Sequence, residues 1–244
     1  KCTQISDADI VIASVGDAQV HESEAYDRTW HLPSYDRQVM NRVTYLNSST
    51  VVVLHAGSAV DVQDFIDGVP ALVHSWYLGS QSADAIVDVL LGTVNPSGRL
   101  PISWAHHLYD HESMHAYPKD FAQLSLARIQ GGQGNPHKRK TWPQVYGERV
   151  MVGYRQFDTV GPTALFPFGF GLSYTQFVYS DLQISAMDGT WRIWCSVANS
   201  GSRDGAEVVQ LYVRPEVFDR THPFQQLRGF EKVFLSSGES VRVE

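Results

Sequence analysis

The chain has 244 residues, enough for one large or two ordinary domains, and its 43% hydrophobic content is ordinary for a globular core. A net charge of −7 leaves no basic footprint for nucleic acid or an anionic membrane. No apolar run approaches the ~20 residues that span a bilayer, and the two cysteines, Cys2 and Cys195, make neither a disulfide framework nor a zinc site.

Lys1-Cys2-Thr3-Gln4 leads into no apolar stretch and does not read as a signal peptide. A processed or excised chain would lack one too, so the compartment stays open, with secretion favoured over the cytoplasm. Ile10 to Val15 reads as a buried strand closed by Gly16. Just beyond it, His21-Glu22-Ser23-Glu24-Ala25-Tyr26-Asp27-Arg28 packs three acids, an Arg and a His into one short stretch. In open α/β sheets ligands bind outside the carboxyl ends of the strands, although a solvated charged loop reads the same way. Pro33-Ser34 opens a predicted helix with Ser34 as N-cap and an apolar stripe of Val39, Val43 and Leu46. Asn47-Ser48-Ser49, at its end, is an N-glycosylation sequon for which a chance match is as good a reading as a glycan. Thr50 to Leu54 is apolar and β-branched, as in a strand buried on both faces. A short helix is expected over Asp61 to Ile66 and a third strand over Pro70 to Trp76. A helix over Ala83 to Leu91 is stopped by Gly92, and a fourth strand over Leu100 to Trp104 follows the turn Asn95-Pro96-Ser97-Gly98. Strands separated by crossover helices imply an α/β fold, a mainly parallel sheet with helices on both faces.

Residues 105–145 are polar and rich in turn formers. His106, His107, His111 and His115 invite a metal reading, but Pro118 and the poor periodicity oppose a stable helix, and no Cys or acid pair completes a site. No metal is expected. The basic cluster His137-Lys138-Arg139-Lys140 is too short for a nucleic-acid footprint. Tyr146-Gly147-Glu148 with Val152 to Asp158, and then Phe166 to Thr175, read as an extended connector whose aromatics anchor it while its glycines allow tight bends. From Phe177 the pattern changes to short alternating strands with turns at Asn199-Ser200-Gly201, Arg203-Asp204-Gly205 and Ser237-Gly238-Glu239, which signals an antiparallel β-sandwich. About five strands are accounted for where such sandwiches have about seven. The sandwich is therefore expected to be incomplete, and the chain a piece of a longer protein cut at both ends.

Four stretches carry a family resemblance. Glu22-Ser23-Glu24-Ala25-Tyr26-Asp27-Arg28 followed by Leu32-Pro33 resembles the acid loop of glycoside hydrolase family 3, the β-glucosidase family, with Ala25 where Gly is usual. Trp76-Tyr77-Leu78-Gly79 through Asn95-Pro96-Ser97-Gly98-Arg99-Leu100-Pro101 is similar to that family's C-terminal α/β sandwich. Tyr146-Gly147-Glu148 with Val152 to Asp158, and Phe166 to Thr175, resemble its linker, and Gly205 to Val213 with Leu227 to Val233 its fibronectin III-like module. The resemblance implies an α/β sandwich domain over 1–104, a long loop and extended linker over 105–176, and a truncated fibronectin III-like sandwich over 177–244.

The same resemblance implies chemistry. Glycoside hydrolysis uses two carboxyl groups, and in retaining enzymes one is acid/base and the other nucleophile. Family 3 enzymes are retaining, with an Asp nucleophile on an N-terminal (β/α)₈ barrel that this chain does not contain. The chain would supply the acid/base, Glu24 by its place in the motif and Glu22 as runner-up. Asp27 and Arg28 would pair and shape the loop, and Tyr26 and Trp30 would wall a sugar site; for Trp76, core packing is the better reading. The implied function is the C-terminal part of an exo-acting β-glucosidase acting on a β-linked glucoside or oligosaccharide, inactive alone, with a homo-oligomer left open. A β-xylosidase of the same family, or a noncatalytic carbohydrate-binding or scaffold module, are the alternatives. No Gly-rich phosphate loop follows a strand, and no cofactor is expected.

Overall fold

The structure, a computed structural model, describes residues 2–16, 28–116, 146–187, 189–216 and 221–244. They fall into two compact units, each discontinuous in sequence. One comprises residues 1–82 and 105–149, the other 83–104 and 150–244.

The first unit is built on three parallel strands, β1 (Val11–Gly16), β2 (Thr50–His55) and β3 (Ala71–His74), in the order β1-β2-β3. The central strand is the most apolar in sequence, and Val52, Val53 and Leu54 are sealed from solvent. Helix α1 (Cys2–Ser6) precedes β1, and α2 (Ser34–Leu46) connects β1 to β2. The buried face of α2 centres on Met40 and Val43, with Val39 and Leu46 half-buried beside them. Ser34 is not its cap. Pro33 holds that position with extended backbone and no side-chain bond, because a proline just ahead of a helix sacrifices no needed N–H. At the other end Asn47 is fully engaged. Its Nδ2 donates to the carbonyls of Ile5 (2.9 Å) and Ala8 (2.7 Å), and its Oδ1 accepts from the Ser49 N–H. The nitrogen that a glycan would occupy thus ties α2 to the segment entering β1.

Three expectations for this half need correction. Asp61 to Ile66 is not a helix. Asp61 forms an isolated parallel bridge with His31, its Oδ1 accepts the Gln63 N–H, and only a single 3-10 turn, Ile66–Gly68, follows. An Asp side chain that bonds the backbone two residues on offers the chain an alternative to helix. The third strand ends at His74, short of Trp76, whose backbone turns to φ +53°. Leu100 to Trp104 adds no fourth strand to the parallel sheet. Pro101 lacks the N–H a central strand needs, and Leu100 and Trp104 instead bond the connector: Leu100 N–H to Phe170 O, Gly169 N–H to Leu100 O, and a single antiparallel bridge between Trp104 and Phe166.

In the second unit α3 (Ser82–Leu90) is followed by Gly92 with φ +74°, the left-handed stop expected of it. The connector is aromatic-anchored as read. Phe166 meets Trp104 edge-on at 5.9 Å and stacks on Phe170 at 5.3 Å. Gly171 lies so close to Gly98 that a Cβ there would collide with the Gly98 carbonyl oxygen. It is not extended throughout, since a short helix, here α5 (Tyr154–Thr159; α4 is Ser113–Ala116 in the first unit), interrupts it. Strands β4 (Phe177–Met187), β5 (Thr190–Asn199) and β8 (Ser240–Val243) form one antiparallel sheet, and β6 (Gly205–Val213) with β7 (Gln226–Leu235) the other. The core drawn from both contains Val197, Leu235 and Val243, flanked by Phe177, Val209 and Val233.

One polar residue sits inside this sandwich. Asn199, 1% exposed, donates from Nδ2 to the carbonyls of Arg203 and Leu235 and accepts at Oδ1 from Thr175 Oγ1 (2.7 Å) and the Gly201 N–H. These bonds close the turn after β5, join it to β7 of the other sheet and hold the end of the connector at Thr175. Asn199→Ala strands the buried Leu235 carbonyl and Thr175 hydroxyl, and a urea titration should show a loss of about 2–4 kcal/mol.

Candidate active site

The three strand ends line up at the carboxyl edge of the parallel sheet. Gly16 stands opposite His55, and Leu54 opposite His74. Side chains stitch these ends together. Ser14 Oγ lies 3.0 Å from His55 Nε2, and His55 Nδ1 lies 2.8 Å from Ser75 Oγ, which donates to the Leu54 carbonyl. Ser75 Oγ also reaches the Trp76 carbonyl at 3.2 Å; when its proton goes to either carbonyl, its oxygen accepts from Nδ1–H and Nε2 accepts the Ser14 hydroxyl.

The charged stretch leaves β1 at Gly16. A Cβ there would run into the carbonyl oxygen of His55, so the position needs glycine. Its N–H donates to Asp36 Oδ2 at 3.1 Å, in the first turn of α2. Glu22, Glu24, Tyr26 and Asp27 lie outside the described residues. The chain re-enters at Arg28. Arg28 Nη2 donates to Ser58 Oγ and, at 2.7 Å, to the Ala59 carbonyl, in the segment that follows β2. The guanidinium therefore grips backbone after β2, in addition to shaping its own stretch by a bond to the Thr29 carbonyl.

Trp30 and His31 continue along the same neighbour. Asp61 N–H donates to the Trp30 carbonyl at 2.8 Å, and Asp61 Oδ2 lies 2.8 Å from His31 Nδ1. The Trp30 indole is half-buried. Its ring meets His111 edge-on at 6.2 Å, and its buried Nε1 has no hydrogen-bond partner among the described residues. Burial pulls the His111 imidazole below its ordinary pKa, with Asp110 opposing. A neutral ring is the better neighbour for an indole edge. Gln63 Nε2, 2.6 Å from His106 Nδ1, carries the contacts on into the histidine-rich stretch. There His107 starts a 3-10 turn over Leu108–Asp110, and His115 packs near Tyr109 at 6.1 Å. Among the described residues no three His, Cys, Asp or Glu side chains gather as metal ligands. The basic cluster at 137–140 lies outside the described residues.

Past β3, Trp76 places its ring 4.3 Å from that of His74. The pairing supports the packing reading of Trp76, while Tyr77 beside it is exposed.

The second unit holds a cleft of about 630 Å³ along the connector, lined by Arg99, Tyr154, Phe168, Glu207, Gln210 and Tyr212 among others. Its polar groups are spent on one another. Arg99 Nη2 pairs with Glu207 Oε2 at 2.5 Å, both nearly buried; Tyr212 donates to Gln210; and Tyr154 accepts the Leu227 N–H. Burial and then Glu207 push the Tyr179 phenol well above its ordinary range.

Set beside known proteins, residues 2–174 match the glycosyl hydrolase family 3 C-terminal domain, and residues 207–244 match a fibronectin type III-like domain. The chain belongs to glycoside hydrolase family 3. A probable beta-glucosidase I of Aspergillus flavus is 34% identical over 98% of the chain, and an exo-alpha-(1->6)-L-arabinopyranosidase of Bifidobacterium breve is 35% identical over 97%. The chain spans 27% and 29% of the lengths of these two relatives. Among solved structures, a family 3 beta-glucosidase of Bifidobacterium adolescentis superposes with a TM-score of 0.85 at 32% identity, over 99% of this chain and 33% of that one. The Kluyveromyces marxianus beta-glucosidase in complex with glucose gives 0.83 at 31%, over 99% and 27%.

In this family 3 chain, sequence reading singled out Arg28 and Trp30, and the structure brings both against the segment that follows β2. It did not single out Asp36, Ser58, Asp61 or the Ser14–His55–Ser75 chain. Asp36 looks like any first-turn helix acid, and the serines like any strand or loop serine. The detectable signal was the closing Gly16, which marks a close approach of two backbones.

Burial lowers the His74 pKa from 6.5 to about 4, against a bond to the Leu54 backbone that raises it. Between those values the unfolded chain binds more protons than the folded one, so His74 makes stability fall as pH drops from 6.5 to 4. His74→Gln should flatten that part of the urea-midpoint profile; an unchanged slope places the acid sensitivity elsewhere.

Proposed function

We propose that this chain is the C-terminal part of a retaining, exo-acting β-glucosidase that removes terminal non-reducing β-D-glucosyl residues. In it a parallel sheet, covered by helices on both faces, presents the general acid/base to a sugar bound on an N-terminal (β/α)₈ barrel of the same protein. The observation that carries the reading is the position of the Glu22–Arg28 motif. In sequence it follows the carboxyl end of β1, and the described residues on either side of it, Gly16 and Arg28, are bonded to neighbouring elements.

Glu24 is the acid/base and Glu22 the runner-up. In the first step the acid protonates the leaving oxygen while the barrel's Asp attacks the anomeric carbon. In the second, the same group as carboxylate takes a proton from the water that releases the sugar. An acid that stays protonated near neutral pH needs burial or a nearby negative charge. Aromatic walls from Tyr26 and Trp30, and the barrel's own carboxylate, supply both. Arg28 and Asp27 shape the stretch. The sugar reading rests on the names of the fungal relatives and solved neighbours. The equally similar Bifidobacterium relative favours α-L-arabinopyranosides as the second substrate to assay.

Two outcomes test this. The isolated 244-residue chain should turn over no aryl β-glucoside, because one of the two carboxylates lies elsewhere; robust turnover refutes the divided site. In the barrel-bearing protein, Glu24→Gln should cost about 10²–10⁴-fold with poor leaving groups. With a nitrophenolate leaving group it should instead give a burst, a lowered KM and rescue by azide as the β-glycosyl azide. If Glu22→Gln shows this pattern and Glu24→Gln does not, the acid moves to Glu22. If neither does, the acid is outside the motif.

A further inference from the structure

We propose that Asp36 and Asp61 are positioning residues for the acid, fixing Gly16 on one side of the motif and Trp30–His31 on the other; this rests on the acid assignment of the previous subsection. Neither carboxylate belongs to the acid motif.

Asp36 answers a specific geometric problem. Gly16 is the last residue of β1, pressed against the His55 carbonyl with no room for a side chain. Glycine has the widest choice of backbone conformations, so the direction in which the chain departs needs a second restraint. The Asp36 carboxylate supplies one by accepting the Gly16 N–H at 3.1 Å. Bonds from N–H to a carboxylate are stronger than neutral ones. The carboxylate is itself held in place, because α2 is rooted by the buried Met40 and Val43, and a negative charge in a helix's first turn is favoured.

Asp61 is the counterpart at the far end. It makes three bonds at once: its N–H to the Trp30 carbonyl (2.8 Å), Oδ2 to His31 Nδ1 (2.8 Å) and Oδ1 from the Gln63 N–H (3.0 Å). Its side chain is mostly buried, whereas that of His31 is half-exposed. Arg28 bonds Ser58 and Ala59 just ahead of it, so residues 28–31 lie along residues 58–61 as a short docked strip. Arg28 makes the bonds at one end of the strip and Asp61 those at the other, while Asp36 holds the Gly16 side of the motif.

A displacement near 1 Å of a catalytic group can cost about 10²-fold in rate. The cost of loosening an acid falls on leaving groups that need a proton. Asp36→Ala and Asp61→Ala in the barrel-bearing protein should therefore lower kcat/KM by about 10- to 100-fold for alkyl and sugar leaving groups, and by less than about 3-fold for dinitrophenolate. This ratio is independent of the fraction of enzyme that folds, so general destabilisation cannot imitate it. Asp36→Asn keeps an oxygen for the Gly16 N–H and should recover most of the loss. Glu24→Gln and Glu22→Gln are run in the same series. If one of them shows the leaving-group-dependent loss while both alanine variants lose activity equally on all substrates, or lose none, the positioning role is overturned and the acid assignment stands. If neither glutamate variant shows it, the acid assignment is overturned and the positioning role with it.

Discussion

The carbonyl oxygen of His55 occupies the space that a side chain on the last residue of β1 would need. Much of the first unit follows from that approach. β1 and β2 run in parallel register to their ends, so the two terminal residues meet squarely, and the end of β1 must be glycine. Once it is glycine, the departing chain gets no guidance from its own side chain. Other groups fix the path, and they are drawn from α2 and from the segment after β2. The Ser14–His55–Ser75 chain works on the same edge from the side-chain layer, tying all three strands together so that the edge presents one rigid rim.

The strands were readable because burial on both faces demands apolar, β-branched runs, and Thr50 to Leu54 is such a run. The stops were readable where chemistry permits one solution, as at Gly92. What escaped reading depends on partners distant in sequence. Leu100 to Trp104 has a strand's composition, but its hydrogen bonds go to Phe166 and Phe170, more than sixty residues on. Asp61 belongs to no helix because its N–H and carboxylate are taken by residues 30 and 31, and nothing near it in sequence announces that.

The candidate site divides along the same line. Arg28 was legible because its motif resembles a known one; Glu22 and Glu24, singled out on the same motif, lie outside the described residues. The groups that receive the flanks, Asp36, Ser58 and Asp61, are common residue types in unremarked places. Their roles arise only when parallel register sets the strand ends side by side. A motif can be read by the kinds of residue in it, whereas contacts such as these are set by position in the fold.

The two compact units interleave along the chain, and this bears on synthesis. Residues 83–104 leave the ribosome well before their partners, while residues 105–149, which complete the first unit, are still to come. Leu100 and Trp104 then wait for Phe166 and Phe170 through some sixty further residues, roughly 3–12 s at ordinary elongation rates. For that interval a tryptophan destined for burial has no cover from its own unit. The length of that exposure belongs to the order of the segments, and faster or slower translation across 105–165 would shorten or lengthen it.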